Sequence, residues 1–166
     1  MNWREEPLNK GHNRTSFDCG NDDLNHFLRH YARQSHSKNT SKTYVAIDDQ
    51  TDGIIGFYTI TLGSVSPKSA PIEFSRRFGG HSLPLFTLAR LAVDKKYQGK
   101  GLGGQLLLKA AKRCFAVSAQ VGGIGLFIEA KNQDGANWYR LFGGVPLIDE
   151  PCALILPFSS LNAVLK

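Results

Sequence analysis

A glycine-rich segment at residues 98–104 is the part of the sequence best suited to bind a ligand. Glycine occupies four of the six positions from 99 to 104, and the segment lies between a predicted strand and a predicted helix. Glycine permits positive φ angles and lets the backbone approach a ligand closely. Its N–H groups, with those of the first helical turn, could hold an anion such as phosphate. The candidate residues are Gln98, Gly99, Lys100, Gly101, Leu102, Gly103 and Gly104.

The spacing of these glycines differs from that of two common phosphate-binding motifs. The segment lacks G-x-x-x-x-G-K-[ST], and its glycines do not occupy the positions of G-x-G-x-x-G. An ordinary glycine-rich turn before a helix is the alternative interpretation. Spacing alone therefore predicts an anion-binding turn without identifying its ligand.

Other reactive side chains lack the partners that their chemistry requires. His26 and His30 have the i, i+4 spacing of two metal ligands on one helical face, but no third ligand is suitably spaced, so we predict no metal site. No base is spaced to activate Cys19, which favours a packing or turn-forming role. Glu129 stands among apolar residues on a predicted strand, where it is either structural or faces a substrate.

Composition limits the class of protein. The 166 residues are 42% hydrophobic and 20% charged, which suits one domain, predicted to span 1–166, and excludes a disordered or collagen-like chain. A net charge of +6 and a pI near 9.3 indicate either a polyanionic partner or simple solubility. Three widely spaced cysteines, a polar opening unlike a leader, and no bilayer-length apolar run favour a cytoplasmic location and no membrane partner.

The predicted elements indicate a mixed α/β fold around one sheet. Asn21 is the predicted N-cap of the first helix, and residues 43–47 and 54–62 predict a hairpin. A buried strand at 84–93 precedes the glycine segment and a long helix follows it until Gly122. Further elements are a short helix at 72–78, strands at 125–130 and 153–158, and a helix at 135–142. This alternation favours a sheet with flanking helices.

Two apolar stripes with helical spacing predict which residues face the core. The first helix is expected to bury Leu24, Phe27, Leu28, Tyr31 and Ala32. The long helix is expected to bury Leu102, Leu106, Ala110, Cys114 and Val117.

Residues 90–94 (RLAVD) and the pattern Gln98-x-x-Gly101-x-Gly103 resemble motif A of the GNAT family of N-acetyltransferases. The resemblance implies a turn that holds the pyrophosphate of acetyl-CoA, and a bulged strand whose main-chain groups contact the pantetheine arm. The implied strand residues are Leu91, Ala92 and Val93. Lys95, Lys96 and Lys100 could help to neutralise phosphates or could be ordinary solvated lysines.

A later segment, Asn132 followed by residues 137–143 (NWYRLFG), resembles the same family. The resemblance implies that Asn132 contacts the cofactor and that Tyr139 is the general acid for the departing thiolate. A phenol, with a pKa of about 10, is protonated at neutral pH; a core aromatic packed beside Trp138 is the alternative. The N–H of Val93 is the predicted donor to the developing oxyanion. The family usually has an aromatic residue where this sequence has Gly144, which weakens the expected packing of the last strand.

The resemblance extends over nearly the whole chain to the GNAT toxins of bacterial type II toxin–antitoxin modules. It rests on residues 12–14, 17–20, 24–28, 43–46, 56–58 and 88–94. It implies an enzyme that acetylates the α-amino group of aminoacyl-tRNA and blocks translation. It also implies a homodimer, and a ribbon-helix-helix antitoxin together with which the toxin binds operator DNA.

Basic residues outside the glycine segment fit a tRNA substrate, although a solvated basic surface is the alternative. The predicted nucleic-acid-binding residues are Arg29, Arg33, Lys38, Lys42, Arg76 and Arg77. No general base is evident, which favours an α-amine, whose pKa is about 8, over a lysine. Acetylation of another amine, such as a protein N-terminus, a polyamine or an antibiotic, and a non-catalytic nucleic-acid-binding module remain alternatives.

Overall fold

The computed structural model describes residues 1–165, which form seven strands and six helices. The strands are β1 (Trp3–Pro7), β2 (Lys42–Asp48), β3 (Ile54–Val65), β4 (Leu83–Val93), β5 (Gly125–Glu129), β6 (Val145–Leu147) and β7 (Glu150–Pro157). The helices are α1 (Asp22–His30), α2 (Ala32–Ser37), α3 (Ile72–Arg77), α4 (Leu102–Val121), α5 (Gln133–Arg140) and α6 (Asn162–Leu165). Single 3₁₀ turns occupy Lys95–Tyr97 and Phe158–Leu161.

The strands form one mixed sheet in the order β1-β2-β3-β4-β5-β7-β6. β1, β2 and β3 pair antiparallel, as the predicted hairpin requires, and β7 pairs antiparallel with both β5 and β6. β4 and β5 are parallel, with Phe86 opposite Leu126, and α4 supplies the crossover that a parallel pair needs. The predicted α/β fold with a mixed sheet flanked by helices is confirmed.

The chain divides into two compact units, each with its own apolar core. The first unit contains residues 1–61 and 89–110 and buries Phe17, Phe27, Leu28, Val45, Phe57 and Ala92. The second contains residues 62–88 and 111–165 and buries Val65, Phe74, Leu83, Leu85 and Ile155. Because of this division, the single domain expected over residues 1–166 stays a prediction. Lys166, the last residue of the chain, lies outside the described residues.

The first predicted helix begins where expected but ends early. The Asn21 side chain accepts hydrogen bonds from the N–H groups of Asp23 and Leu24, at 3.0 and 3.2 Å, which confirms the N-cap. The helix is interrupted at Tyr31, whose φ of −122° separates α1 from α2. Because of this break Tyr31 is 53% exposed, so its predicted place in the core is wrong, whereas Ala32 is buried.

The long helix α4 buries four of its five predicted core residues. Leu102, Leu106, Ala110 and Cys114 are buried, but Val117 is 44% exposed, contrary to prediction. Val117 has the same angular position on the helix as the buried residues. Its exposure therefore indicates that the C-terminal end of α4 extends past the parts of the fold that bury the rest of the apolar stripe.

Among the described helices, none is long and apolar enough to cross a membrane.

Two strands were not predicted. β1 lies in the polar N-terminal segment and has β2 as its one partner, so an edge position accounts for its polar composition. β6 follows Gly143 and Gly144, where a Cβ would lie 2.6 Å from Ser160 Cβ and 3.0 Å from the Tyr139 carbonyl oxygen, respectively. These two glycines therefore form a close-packed connection between α5 and β6.

Candidate active site

The glycine segment forms an open loop that ends in the first turn of α4. Gly99 and Gly101 have φ angles of 77° and 85°, and a Cβ on either would meet no atom within 4 Å. Their positive φ angles therefore require glycine, while the space above them is free. The Gln105 N–H donates to the Gly101 carbonyl at 3.2 Å, so the N–H groups that precede Gln105 have no carbonyl partner one turn earlier within α4. This arrangement fits a pyrophosphate group.

Side chains contribute to this loop mainly by supporting it. Leu102 as a whole is only 1% exposed, so its side chain is packed in the core beneath the loop. Gln98, a predicted cofactor contact, donates from Nε2 to the carbonyls of Val93 (2.8 Å) and Cys19 (3.0 Å). Asp94 is buried and accepts from the N–H groups of Lys96 (2.9 Å) and Asp18 (3.1 Å). Together Gln98 and Asp94 attach the loop to the end of β4 and to residues 18–19.

The three lysines near the loop differ in their partners. Lys95 Nζ lies 3.0 Å from the carboxylate of Asp18. Hydrogen bonds from the Gly20 N–H and the Asn25 side chain, and then Lys95, lower the pKa of Asp18 to about 2. Lys100 Nζ lies 5.6 Å from the centre of the Tyr97 ring. Lys96 and Lys100 form no ion pair with any described residue, so their charges are available to an anionic ligand.

Tyr139 lies on α5, whose N-cap is Asn132. The Asn132 side chain accepts a hydrogen bond from the Gly135 N–H at 2.9 Å and so caps the helix, which gives this predicted cofactor ligand a structural role as well. Tyr139 packs edge-on against Trp138, with 5.0 Å between ring centres. Burial raises the pKa of Tyr139 to about 12, and its hydroxyl makes no hydrogen bond to the rest of residues 1–165. The Tyr139 phenol is therefore protonated at neutral pH.

The predicted site residues are divided between the two units. Leu91, Ala92, Val93 and the glycine loop belong to the first unit, and Asn132 and Tyr139 belong to the second. Leu91 and Val93 are partly buried at the end of β4, and Ala92 is packed in the core of the first unit.

A second feature of the first unit is a groove of about 840 Å³, which we call the basic groove. It is lined by Leu8, Asn9, Lys10, Arg14, Arg29, His30, Arg33, Gln34, His36, Ser37 and Lys38. Of the predicted nucleic-acid-binding residues it brings together Arg29, Arg33 and Lys38. Lys10 and Arg14 were missed, because they precede α1 and only the fold places them beside it. None of the lining residues is acidic, which suits a polyanion.

The other predicted nucleic-acid-binding residues do not line this groove. Lys42 Nζ donates to the His36 carbonyl at 3.1 Å, at the C-terminal end of α2. Arg76 and Arg77 end α3 in the second unit, where the Arg77 guanidinium lies 5.3 Å from the centre of the Phe78 ring.

Two arginines build one wall of the basic groove. Arg14 donates to the Arg29 carbonyl at 3.1 Å, and Arg29 Nη2 donates to the Phe17 carbonyl at 2.8 Å. Arg29 Nε is buried without a hydrogen-bond partner in the described chain. Arg29 is therefore partly structural, and Arg33 and Lys38 are the predicted residues whose charges are free.

The remaining reactive side chains have structural surroundings. His26 and His30 pack against each other at 4.4 Å between ring centres, and among residues 1–165 no group of three or more His, Cys, Asp or Glu is arranged to hold a metal ion. Burial raises the pKa of the Cys19 thiol, whose Sγ lies 3.6 Å from the Asn21 carbonyl oxygen. Glu129 is exposed at the end of β5, beside a pocket of about 290 Å³ that Glu150 and Cys152 also line.

The fold and the glycine loop together define an acetyltransferase of the GNAT class. The model of the Acetyltransferase (GNAT) family matches residues 2–143, and the chain belongs to this family. GNAT enzymes use acetyl-CoA, so the predicted co-substrate is confirmed.

Within that family the chain is similar to toxins. It is 31% identical over 151 residues to the "tRNA-acetylating toxin" of Mycobacterium tuberculosis (strain ATCC 25618 / H37Rv), covering 91% of this chain and 89% of the relative. It is 28% identical over 169 residues to the "Probable toxin TacT" of Sinorhizobium fredii (strain NBRC 101917 / NGR234), covering 96% of this chain and 93% of the relative. The resemblance to GNAT toxins inferred from the sequence is thereby confirmed.

Three solved structures of AtaT are also similar to this chain. AtaT complexed with acetyl-methionyl-tRNAfMet has a TM-score of 0.91 at 26% identity, covering 99% of this chain and 100% of the other. A mutant of AtaT bound to the C-terminus of the antitoxin AtaR and acetyl-CoA has a TM-score of 0.82 at 26% identity, covering 99% and 98%. The AtaT–AtaR complex bound to DNA has a TM-score of 0.78 at 29% identity, covering 98% and 99%.

Proposed function

We propose that this protein is a cytoplasmic toxin that transfers an acetyl group from acetyl-CoA to the α-amino group of aminoacyl-tRNA and so blocks translation. The observation that carries the proposal is similarity over nearly the full chain to a tRNA-acetylating toxin and to AtaT complexed with acetyl-methionyl-tRNAfMet. The basic groove supports a polyanionic substrate, since its free charges come from Lys10, Arg33 and Lys38 and none of its lining is acidic.

The glycine loop is proposed to hold the pyrophosphate through the N–H groups of residues 101–104. Lys96 and Lys100 add charge beside it. Gln98 and Asp94 keep the loop in place rather than contacting the ligand. Acetyl-CoA supplies a thioester whose carbonyl carbon accepts the amine.

Val93 and Tyr139 are proposed to serve the reaction itself. The Val93 N–H donates to the carbonyl oxygen as negative charge develops there. Tyr139 gives its hydroxyl proton to sulfur as the C–S bond breaks. The amine loses one proton as the new C–N bond forms, and that proton returns to the phenolate through water, so the enzyme is regenerated. Because the pKa of Tyr139 is about 12, the phenol stays protonated throughout the physiological range.

The proposal extends to regulation. The relative AtaT has been solved with the C-terminus of the antitoxin AtaR and with DNA as an AtaT–AtaR complex. We propose that a ribbon-helix-helix antitoxin neutralises this chain, that operator DNA is bound through that complex, and that the toxin itself is a homodimer.

The deciding experiment incubates the protein with labelled acetyl-CoA and a pool of charged tRNAs and identifies the N-acetyl-aminoacyl products. We expect product from charged but not from deacylated tRNA. Tyr139→Phe should lower the rate by roughly 10²- to 10⁴-fold while acetyl-CoA binding is kept. Label transferred instead to a peptide N-terminus or a polyamine would contradict the proposed acceptor, and undiminished growth inhibition by Tyr139→Phe would contradict the catalytic role.

A further inference from the structure

Arg90, on β4, has an unusual environment within the first unit. Its guanidinium carbon lies 3.8 Å from the centre of the Phe27 ring, which is close enough for face-to-face contact. The side chain is partly buried, and it forms no hydrogen bond or ion pair with any other residue of the described chain. By contrast, Arg4 contacts three carboxylates, and Arg14 and Arg29 donate to backbone carbonyls.

The packing of Arg90 leaves the N–H donors of its guanidinium free to bind a ligand. A guanidinium carries five N–H donors in one plane and stays charged in proteins. Burial opposes that charge, and the Phe27 ring lies 3.8 Å from the guanidinium carbon, while no other described residue accepts a hydrogen bond from Arg90. The in-plane donors therefore remain available in a fixed orientation, and this geometry matches the oxygens of a phosphate in a bidentate contact.

The position of Arg90 relates it to the acceptor substrate. Helix α1 provides both Phe27, which supports the guanidinium, and Arg29 and His30, which line the basic groove. Arg90 also precedes Val93 by three residues, or about 10 Å along a strand. An acceptor that runs from the basic groove toward the Val93 N–H has phosphates in its chain close to the reacting end.

We propose that Arg90 binds a phosphodiester near the 3′ end of the aminoacyl-tRNA acceptor strand and thereby positions the amine. This inference rests on the proposed function and identifies a residue that the sequence motifs left without a role. The phosphates of acetyl-CoA are the other possible source of the same chemistry, and the measurements below separate the two.

The test compares Arg90→Gln with wild type on two acceptors: charged tRNA, and a 3′-aminoacyl-adenosine that carries no phosphate. We expect Arg90→Gln to raise KM for charged tRNA about tenfold with little change in kcat. The slope of log KM against log salt should fall by about one, as expected for the loss of one phosphate contact. Activity on aminoacyl-adenosine and the Kd of acetyl-CoA should not change. Lys112→Gln, which removes one exposed charge from α4, is the matched control and should leave all five quantities unchanged.

Three outcomes would overturn the inference. A raised Kd for acetyl-CoA would assign Arg90 to that ligand, an equal loss on both acceptors would make its role structural, and an unchanged salt slope would remove the phosphate contact. If Arg90→Gln does not fold, Arg90→Lys replaces it in the test. This variant keeps one positive charge but loses the bidentate contact, so KM for charged tRNA should rise while the salt slope is retained. An unchanged KM would overturn the inference. A wild type that acetylates neither acceptor would instead refute the proposed function.

Discussion

The glycine loop and the basic groove are the two proposed anion-binding regions of the first unit, and they are built in opposite ways. The loop presents backbone N–H groups from consecutive residues, so its binding capacity depends on conformation at Gly99 and Gly101. The groove presents side-chain charges from residues 8–14 and from α1 and α2. Backbone donors form a fixed site for one small group, whereas separate charges act additively on a long polyanion. The two regions should therefore respond differently to substitution and to salt.

Among substitutions in these two regions, removing the free charges of the groove should give the largest effect. The variant Lys10→Gln/Arg33→Gln/Lys38→Gln leaves the structural Arg29 in place. We expect KM for charged tRNA to rise about 100-fold at physiological salt, since each lost phosphate contact costs roughly fivefold there, and the salt slope to fall by about three. Steady-state kinetics at several salt concentrations measure both.

The same variant should leave the Kd of acetyl-CoA unchanged if the two regions act independently. A variant of three other exposed lysines, Lys68→Gln/Lys109→Gln/Lys112→Gln, removes the same net charge and is the control. An equal rise in KM with that control would show that overall charge, and not the groove, attracts the tRNA.

In the loop, a single methyl group should be enough to weaken binding. Gly101→Ala introduces a Cβ at φ 85°, a strained conformation that costs about 1–2 kcal/mol, although no neighbouring atom lies within 4 Å. If the residue relaxes, its N–H moves, and the Kd of acetyl-CoA should rise about tenfold with KM for charged tRNA unchanged. Isothermal titration calorimetry measures the former.

Gly135→Ala is the matched control for that substitution. Gly135 is helical, and a Cβ there meets the Ala130 Cβ at an ordinary 3.5 Å, so acetyl-CoA binding should be unaffected. Wild-type affinity in Gly101→Ala would mean that the loop does not use this conformation to bind the ligand.

The contrast between the loop and the groove also explains which parts of the fold and of the candidate site could be predicted from the sequence. The loop is contiguous, so its glycines, the flanking strand and the start of α4 were all recognisable. The Asn21 cap was found for the same reason, because its bonds to Asp23 and Leu24 are local. The groove needed Arg14 to meet Arg29 across 15 residues, and no local pattern encodes that contact. The polar edge strand β1 and the break at Tyr31 were missed because pairing and packing determine them.

Gln98 tests whether loop support and ligand contact can be separated. Gln98→Ala removes two hydrogen bonds to the Val93 and Cys19 carbonyls, each worth about 1 kcal/mol at most since the side chain is exposed. We expect Tm to fall by about 2–4 °C and the Kd of acetyl-CoA to rise about threefold. Differential scanning fluorimetry and calorimetry measure these. A much larger loss of affinity without a change in Tm would make Gln98 a direct ligand, as the motif suggested.

The smallest expected effect concerns Asp18, which holds Lys95 beside the loop. Its folded pKa of about 2 lies below the usual value of about 3.9, chiefly because the Gly20 N–H and the Asn25 side chain donate to its carboxylate. A depressed acid contributes its stability above the unfolded pKa and loses it as pH falls through the folded pKa. Asp18→Asn should therefore lower Tm slightly at pH 5–8, and the difference should disappear between pH 4 and about pH 2. A difference that persists at pH 2 would assign the effect to the amide substitution itself. The acetyl-CoA Kd should show no dependence on Asp18 titration between pH 5 and 8, because the carboxylate stays ionised throughout that range.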